Sequence, residues 1–171
     1  YKQNADNSVS ATAHGNPLDV VERIASVNDW SFERSGDDEI NILIKGQWVD
    51  YQVSFTWMGE LEALHLACAF DIKVAERRRA EVQQLIAHMN EQMWIGHFDL
   101  WAADGLVMFR HALLLNGSVC APQQCEAMLK AALEAAQKQA DEIREMLDAS
   151  FMQLNAEYGF AFAKQAQPEL Q

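Results

Sequence analysis

Between Trp48 and Trp57 the residues alternate without a slip. Val49, Tyr51, Val53, Phe55 and Trp57 fall on one side, while Asp50, Gln52, Ser54 and Thr56 fall on the other. A side-chain period of two cannot be laid on a helix. It describes an extended strand with one dry and one wet face, the pattern of an antiparallel sheet that is covered on one side only. Any fold for this chain must therefore place a layer against one face of a sheet and leave the other face accessible.

The neighbouring segments follow the same rule. Ile40, Ile42 and Ile44 share one face of Glu39–Lys45. In Ala63–Phe70 the large residues Leu64, Leu66, Cys68 and Phe70 oppose Ala63, His65, Ala67 and Ala69. Those small residues leave room for something to pack closely on the second face. Ser31–Arg34 is a weaker strand candidate. Trp94–Leu115 reads as a helix end, then strands at 97–101 and 106–115 around Asp104-Gly105, a strong turn signal. Strands joined by short turns make the sheet mainly antiparallel and the class α+β. The expected order is α-β-β-β-α-β-β-α, with about five strands and the helices on one face.

Three segments carry helical spacing. Asn16 is a candidate N-cap and Pro17 suits the first helical position, followed by Leu18, Val21, Ile24 and Ala25. Ala75 to about Ile95 places Val82, Leu85, Ile86, Met89 and Met93 on one stripe, with Gly96 as its stop. The last helix opens at Pro122 and runs to about residue 157, before Gly159. At 1.5 Å per residue that is roughly 50 Å, more than one small domain covers. The part beyond Asp141 is expected to pack on a second copy, with Ile143, Leu147 and Leu154 as dimer-helix candidates. The domain plan is thus a disordered leader over 1–15, an α+β domain over 16–136, and a helix extension with a tail over 137–171.

Composition removes several classes of function. The chain has 171 residues and a net charge of −12. A nucleic-acid partner calls for a positive field, so none is expected. The one basic cluster, Arg77-Arg78-Arg79, is flanked by Glu76 and Glu81 and reads as a mixed helix surface. No apolar run approaches the roughly 20 residues of a membrane span, so no membrane partner is expected. Tyr1–Gly15 holds no signal-like apolar core. Cys68 in an apolar strand reads as a reduced thiol, which points to the cytoplasm. Cys120 and Cys125 bracket Pro122, and without a second pair they are read as neither a disulfide nor a metal site.

The segment 94–115 collects the polar and aromatic groups that could carry chemistry. His97, Asp99 and Trp101 are two apart and share a strand face; His111 lies on the adjoining strand. Two His and an Asp could bind a divalent metal or form an acid–base pair, which is the enzymatic alternative: a small metal-dependent or acid–base enzyme using His97, Asp99 and His111. No short ligand spacing, nucleophile elbow, phosphate loop or dinucleotide pattern accompanies them. The favoured reading is that Asp99 pairs with Arg110 or His111 across the hairpin and locks its register. No cofactor and no metal are expected.

An ordered set of motifs resembles the YbjN family of bacterial proteins. It comprises Asn16-Pro17-Leu18-Asp19, Asn28-Asp29-Trp30, Trp48-x-Asp50-Tyr51, Leu64-His65-x-x-Cys68-x-Phe70-Asp71, Trp94-x-Gly96-His97-Phe98-Asp99-Leu100-Trp101, and Met108-Phe109-Arg110-His111-Ala112-Leu113-Leu114. Together they cover about residues 16–136. The resemblance implies a sensory transduction regulator with a fold like that of type III secretion chaperones, which are small dimers that hold a partner chain. After Ala136 the chain departs from an aromatic, Tyr-Pro-rich pattern to Gln137-Lys-Gln-Ala-Asp-Glu-Ile-Arg144, so no partner contact is carried over there.

The expectation is therefore a non-enzymatic, chaperone-like module: a cytoplasmic homodimer that binds a protein or peptide segment. Candidate partner contacts are Trp48, Trp94, His97, Asp99, Trp101, Arg110 and His111. Trp residues anchor interfaces disproportionately, and Trp48 falls on the polar side of its strand.

Overall fold

A computed structural model describes residues 15–46 and 50–165. All but Gly15 of the expected leader, the tail from residue 166, and Trp48 lie outside the described residues. In chain order the elements are α1 (Pro17–Val27), β1 (Ser31–Ser35), β2 (Glu39–Ile44), β3 (Tyr51–Met58), β4 (Ala63–Lys73), α2 (Arg79–Glu91), β5 (His97–Trp101), β6 (Leu106–Leu114) and α3 (Pro122–Gln165). Short 3₁₀ turns at Gly59–Leu61 and Glu76–Arg78 precede β4 and α2.

The six strands form one sheet in the order β1-β2-β3-β4-β6-β5, antiparallel throughout. Six replaces the expected five because β1 is a full strand. Its residues are exposed or half-buried, so it shows little of the burial alternation that marks a strand in sequence. It is recognised by its pairing with β2, not by a hydrophobic period.

One rung explains the two layers. Ile42, Val53, Cys68, Phe109 and Phe98 are consecutive partners across five strands, and all are buried. Their face carries the helices. α1 contributes Leu18, Val21, Ile24 and Ala25; α2 contributes Val82, Ile86 and Met89; α3 contributes Cys125, Met128, Leu129, Ala132 and Ala136. The next rung, Asn41, Ser54, Ala67, Arg110 and His97, points to the other face. A one-residue step thus separates core from surface along every strand.

The caps follow local chemistry. The Asn16 Oδ1 accepts from the Leu18 amide at 2.9 Å, satisfying one of the free donors of α1, and Pro17 opens the helix. Arg34 of β1 donates to Asp19 and Glu22 of α1, each at 2.7 Å, and so ties the edge strand to the helix layer. The hydrogen bonds to Glu22 and then Asp19 raise the Arg34 pKa further.

Two helices differ from expectation at their ends. α2 begins at Arg79 and stops at Glu91, so it is shorter at both ends. Gly96 is not its stop. At φ 69° Gly96 lies where the backbone passes Phe109, and a Cβ there would meet the ring at 2.2 Å and the Arg110 carbonyl at 2.9 Å. The glycine is required by close approach as well as by its dihedral. α3 runs through Gly159 to Gln165, 44 residues and about 66 Å. Ile143 is fully buried in this chain's own core cluster, so it has no surface to offer a second copy. Leu147 and Leu154 lie on α3, and their side chains are outside the described residues.

Candidate functional site

The helix-free face of the sheet holds an open groove of about 750 Å³. It reaches from Ser31 on β1 to Trp101 on β5, across the strands. The small side chains of Ala67 and Ala69 on β4 line its middle, and Met108 and Leu106 on β6 continue the apolar surface. Larger residues at these β4 positions would fill the depression. Its walls carry opposite charge: Glu33 and Glu39 line the β1–β2 end, and Arg110, beside the neutral ring of His65, the β4–β6 side.

Each end is organised by hydrogen bonds. Ser54 donates to Glu39 at 3.1 Å and to Asn41, and the Asn41 amide donates to Glu39 at 3.0 Å. On the other side the Arg110 Nη1 donates to the Asp99 Oδ2 at 3.2 Å, and its Nε donates to the His65 Nε2 at 3.3 Å. A ring nitrogen that accepts must be unprotonated. Burial lowers the His65 pKa, and Arg110, His97 and His111 lower it further. Arg110 thus spans three strands, held by β5 and β4 while it lines the groove.

Of the expected contact residues, Trp101 and Arg110 line the groove. Asp99 pairs with Arg110 and positions it. His97 stands beside Arg110 on the same face, exposed. Trp94 sits in the turn before β5 and is 99% exposed, away from the groove lining. His111 pairs with Leu66 on the core-facing rung, so it points to the helix side, away from His97 and Asp99. Burial, then His97, lowers its pKa.

The His97, Asp99 and His111 set required for the enzymatic alternative is therefore split between two faces. Among the described residues no group of three or more His, Cys, Asp or Glu converges on a metal-sized site. His65, placed by sequence on the small-residue face of its strand, joins the site instead. Its place beside Ala67 and Ala69 on one face was visible. Its pairing with Arg110, 45 residues away, depends on strand order.

β5 is an edge strand, but its central backbone is occupied. The Asn90 side chain of α2 accepts from the Phe98 amide at 2.8 Å and donates to the Phe98 carbonyl at 3.0 Å, as a neighbouring strand would. This blunts the edge against another chain's strand.

These features define a class: a two-layer α+β protein whose polar groups line an open sheet groove instead of converging in a closed pocket. Residues 17–145 match the model of the YbjN family, described as "Putative bacterial sensory transduction regulator". The chain belongs to the YbjN family. A solved structure titled "Crystal Structure of the ExsC-ExsE Complex" is similar at a TM-score of 0.47 and 17% identity, over 69% of this chain and 86% of that one. No curated protein matches the sequence. No helix among the described residues is long and apolar enough to cross a membrane.

Proposed function

We propose that this chain is a non-enzymatic, chaperone-like binding module that holds an extended protein segment in the groove on its open sheet face. The observation that carries this reading is the groove itself: small residues in its middle, apolar side chains beside them, and walls of opposite charge. Strands are about 4.8 Å apart, so the path from β1 to β6 is roughly 19 Å, the length of about six extended residues. From the Glu39 end to Arg110 it is about 14 Å, or roughly four residues. The occupant is accordingly a segment with an acidic residue set against Arg110, a basic residue about four to six positions away set against Glu33 and Glu39, and apolar side chains between. Charge complementarity fixes its direction and register more than its affinity.

The test is a random-peptide display selection on the purified protein, followed by fluorescence anisotropy. Enriched peptides should show that spacing of opposite charges. They should lose at least about tenfold in affinity on Ala67→Trp, which fills the groove, and on Arg110→Glu, which reverses its cation. No enrichment, or equal binding to both folded variants, overturns the reading.

The homodimer remains part of this proposal, with its site moved. Ile143 is occupied within the chain, so any second copy would meet α3 beyond that point, where the sequence carries Leu147 and Leu154. Light scattering on the wild type and on Leu147→Glu tests it. A monomer in both discards it.

A further inference from the structure

Two of the three cysteines stand together at the head of α3. Cys120 lies in the loop after β6, one residue from its end, and Cys125 lies in the first turn of the helix, with Pro122 between them. Their sulfur atoms are 3.0 Å apart, and both residues are buried, 3% and 1% exposed. Two unbonded sulfurs ordinarily rest farther apart than this, and the separation exceeds a disulfide bond only by about 1 Å. Cys68 sits in the middle of β4, buried among Val53 and Phe109, and burial pushes its thiol up to about 12.

We propose that Cys120 and Cys125 are a reversible dithiol–disulfide pair, a modification site that closes the loop after β6 onto the first turn of α3, while Cys68 remains a thiol. The oxidant is a low-molecular-weight disulfide. One protein thiolate attacks a sulfur of that disulfide, forms a mixed disulfide and releases one small thiolate. The second protein thiolate then attacks the sulfur of the first cysteine, forms the Cys120–Cys125 bond and releases the second small thiolate. Two protons leave the protein thiols and end on the two small thiols, and the two electrons reduce the oxidant. Burial and the hydrogen bond to Cys120 raise the Cys125 pKa. Exchange therefore needs the first turn of α3 to open, and the bond once formed is reduced through the same opening.

Pro122 suits this arrangement. It needs no hydrogen-bond partner at the start of the helix, and the backbone bonds that opening must break there are those of the Gln124 and Cys125 amides to the Ala121 carbonyl. The Gln124 side chain accepts from the Ala121 amide at 2.9 Å, which holds the intervening residues folded back between the two sulfurs.

The full chain is incubated with a redox buffer rich in oxidised glutathione until its composition is constant. A second sample is refolded from urea in the same buffer, so that burial cannot block entry. Free thiols are then alkylated under denaturing conditions and mapped by mass spectrometry. The expected result is loss of two of the three alkylation sites, a mass lower by about 2 Da before alkylation from the two lost hydrogens, and retention of the label on Cys68 alone, all reversed by dithiothreitol. Three labelled thiols, or glutathione still attached to Cys120 or Cys125, overturns the proposal. Cys125→Ser should abolish the internal bond, and an internal disulfide that persists in that variant assigns the wrong partner and also overturns it.

Discussion

Phe109 and Arg110 are neighbours in the chain and lie on opposite sides of the same sheet. Phe109 is fully buried, packs edge-on against Phe98 with ring centroids 5.6 Å apart, and presses on Gly96. Arg110 is half-buried and holds Asp99 and His65 beside an open groove. The two faces teach different lessons. On the helix side, close packing makes each residue matter to stability through the volume it fills. On the open side, the residues contribute little to folding and are arranged for what can be laid across them.

Substitutions on each face should separate these roles. Phe109→Ala is expected to cost the most, about 3–5 kcal/mol in urea unfolding, because the vacated space is enclosed by the sheet and helices. Gly96→Ala should follow at roughly 2–3 kcal/mol, since the added methyl overlaps Phe109 and forces a strained dihedral. A Gly96→Ala protein as stable as the wild type would show that the hairpin does not press on the core here.

Acid should weaken the fold through both faces. Burial lowers the folded pKa of His65 on the open side and His111 on the helix side below the ordinary 6.5. The unfolded chain therefore takes up protons first as the pH falls. The stability from keeping these rings neutral is present above about 6.5 and is lost below it. Urea midpoints measured at pH 7.5 and 5.5 should drop, and His65→Gln with His111→Gln should flatten the change. An unchanged slope in the double variant would assign the acid sensitivity to carboxylates.

The open face should show small stability effects and large binding effects. Arg110→Ala is expected to cost about 1 kcal/mol or less, because its ion pair with Asp99 is partly solvated. Ala67→Trp should change stability least, by roughly 0.5 kcal/mol, while displacing any occupant of the groove. If Ala67→Trp instead destabilised as much as Phe109→Ala, the two faces would be alike and the groove would be part of the core.

Much of this division was legible before any fold was known. Alternation at Val53 and Phe55 assigned their faces, and the isoleucines of β2 did the same. The Asn16 cap, the Asp104-Gly105 turn and the α+β class follow from local preferences that tertiary context does not override. β1 was less legible because none of its residues is buried, so it leaves no hydrophobic period. The end of α2 was misplaced because Gly96 has two roles in sequence, helix stop and close-approach residue, and only the position of Phe109 decides between them.

The site was legible residue by residue but not as a set. His97, Asp99 and Trp101 share a face by parity within one strand. His111 could be placed relative to them only through the register of β5 on β6, which puts it with Leu66 on the core side. His65 entered the site because β4 is the neighbour of β6 on the side opposite β5, which places it beside Arg110. The same is true of Ile143, whose helical spacing is equally consistent with a dimer seam and with the chain's own core.

By itself, the sequence determined which residues of each strand share a side, where α1 and α3 start, and that one face of the sheet would be wet, because these depend on local caps and on backbone periods of two and 3.6 residues. Tertiary structure alone decided which strands are neighbours, and with them the groove and the Arg110 bridge between Asp99 and His65. Periodicity acts along the chain. The order of strands across the sheet depends on the one arrangement that buries all the dry faces together.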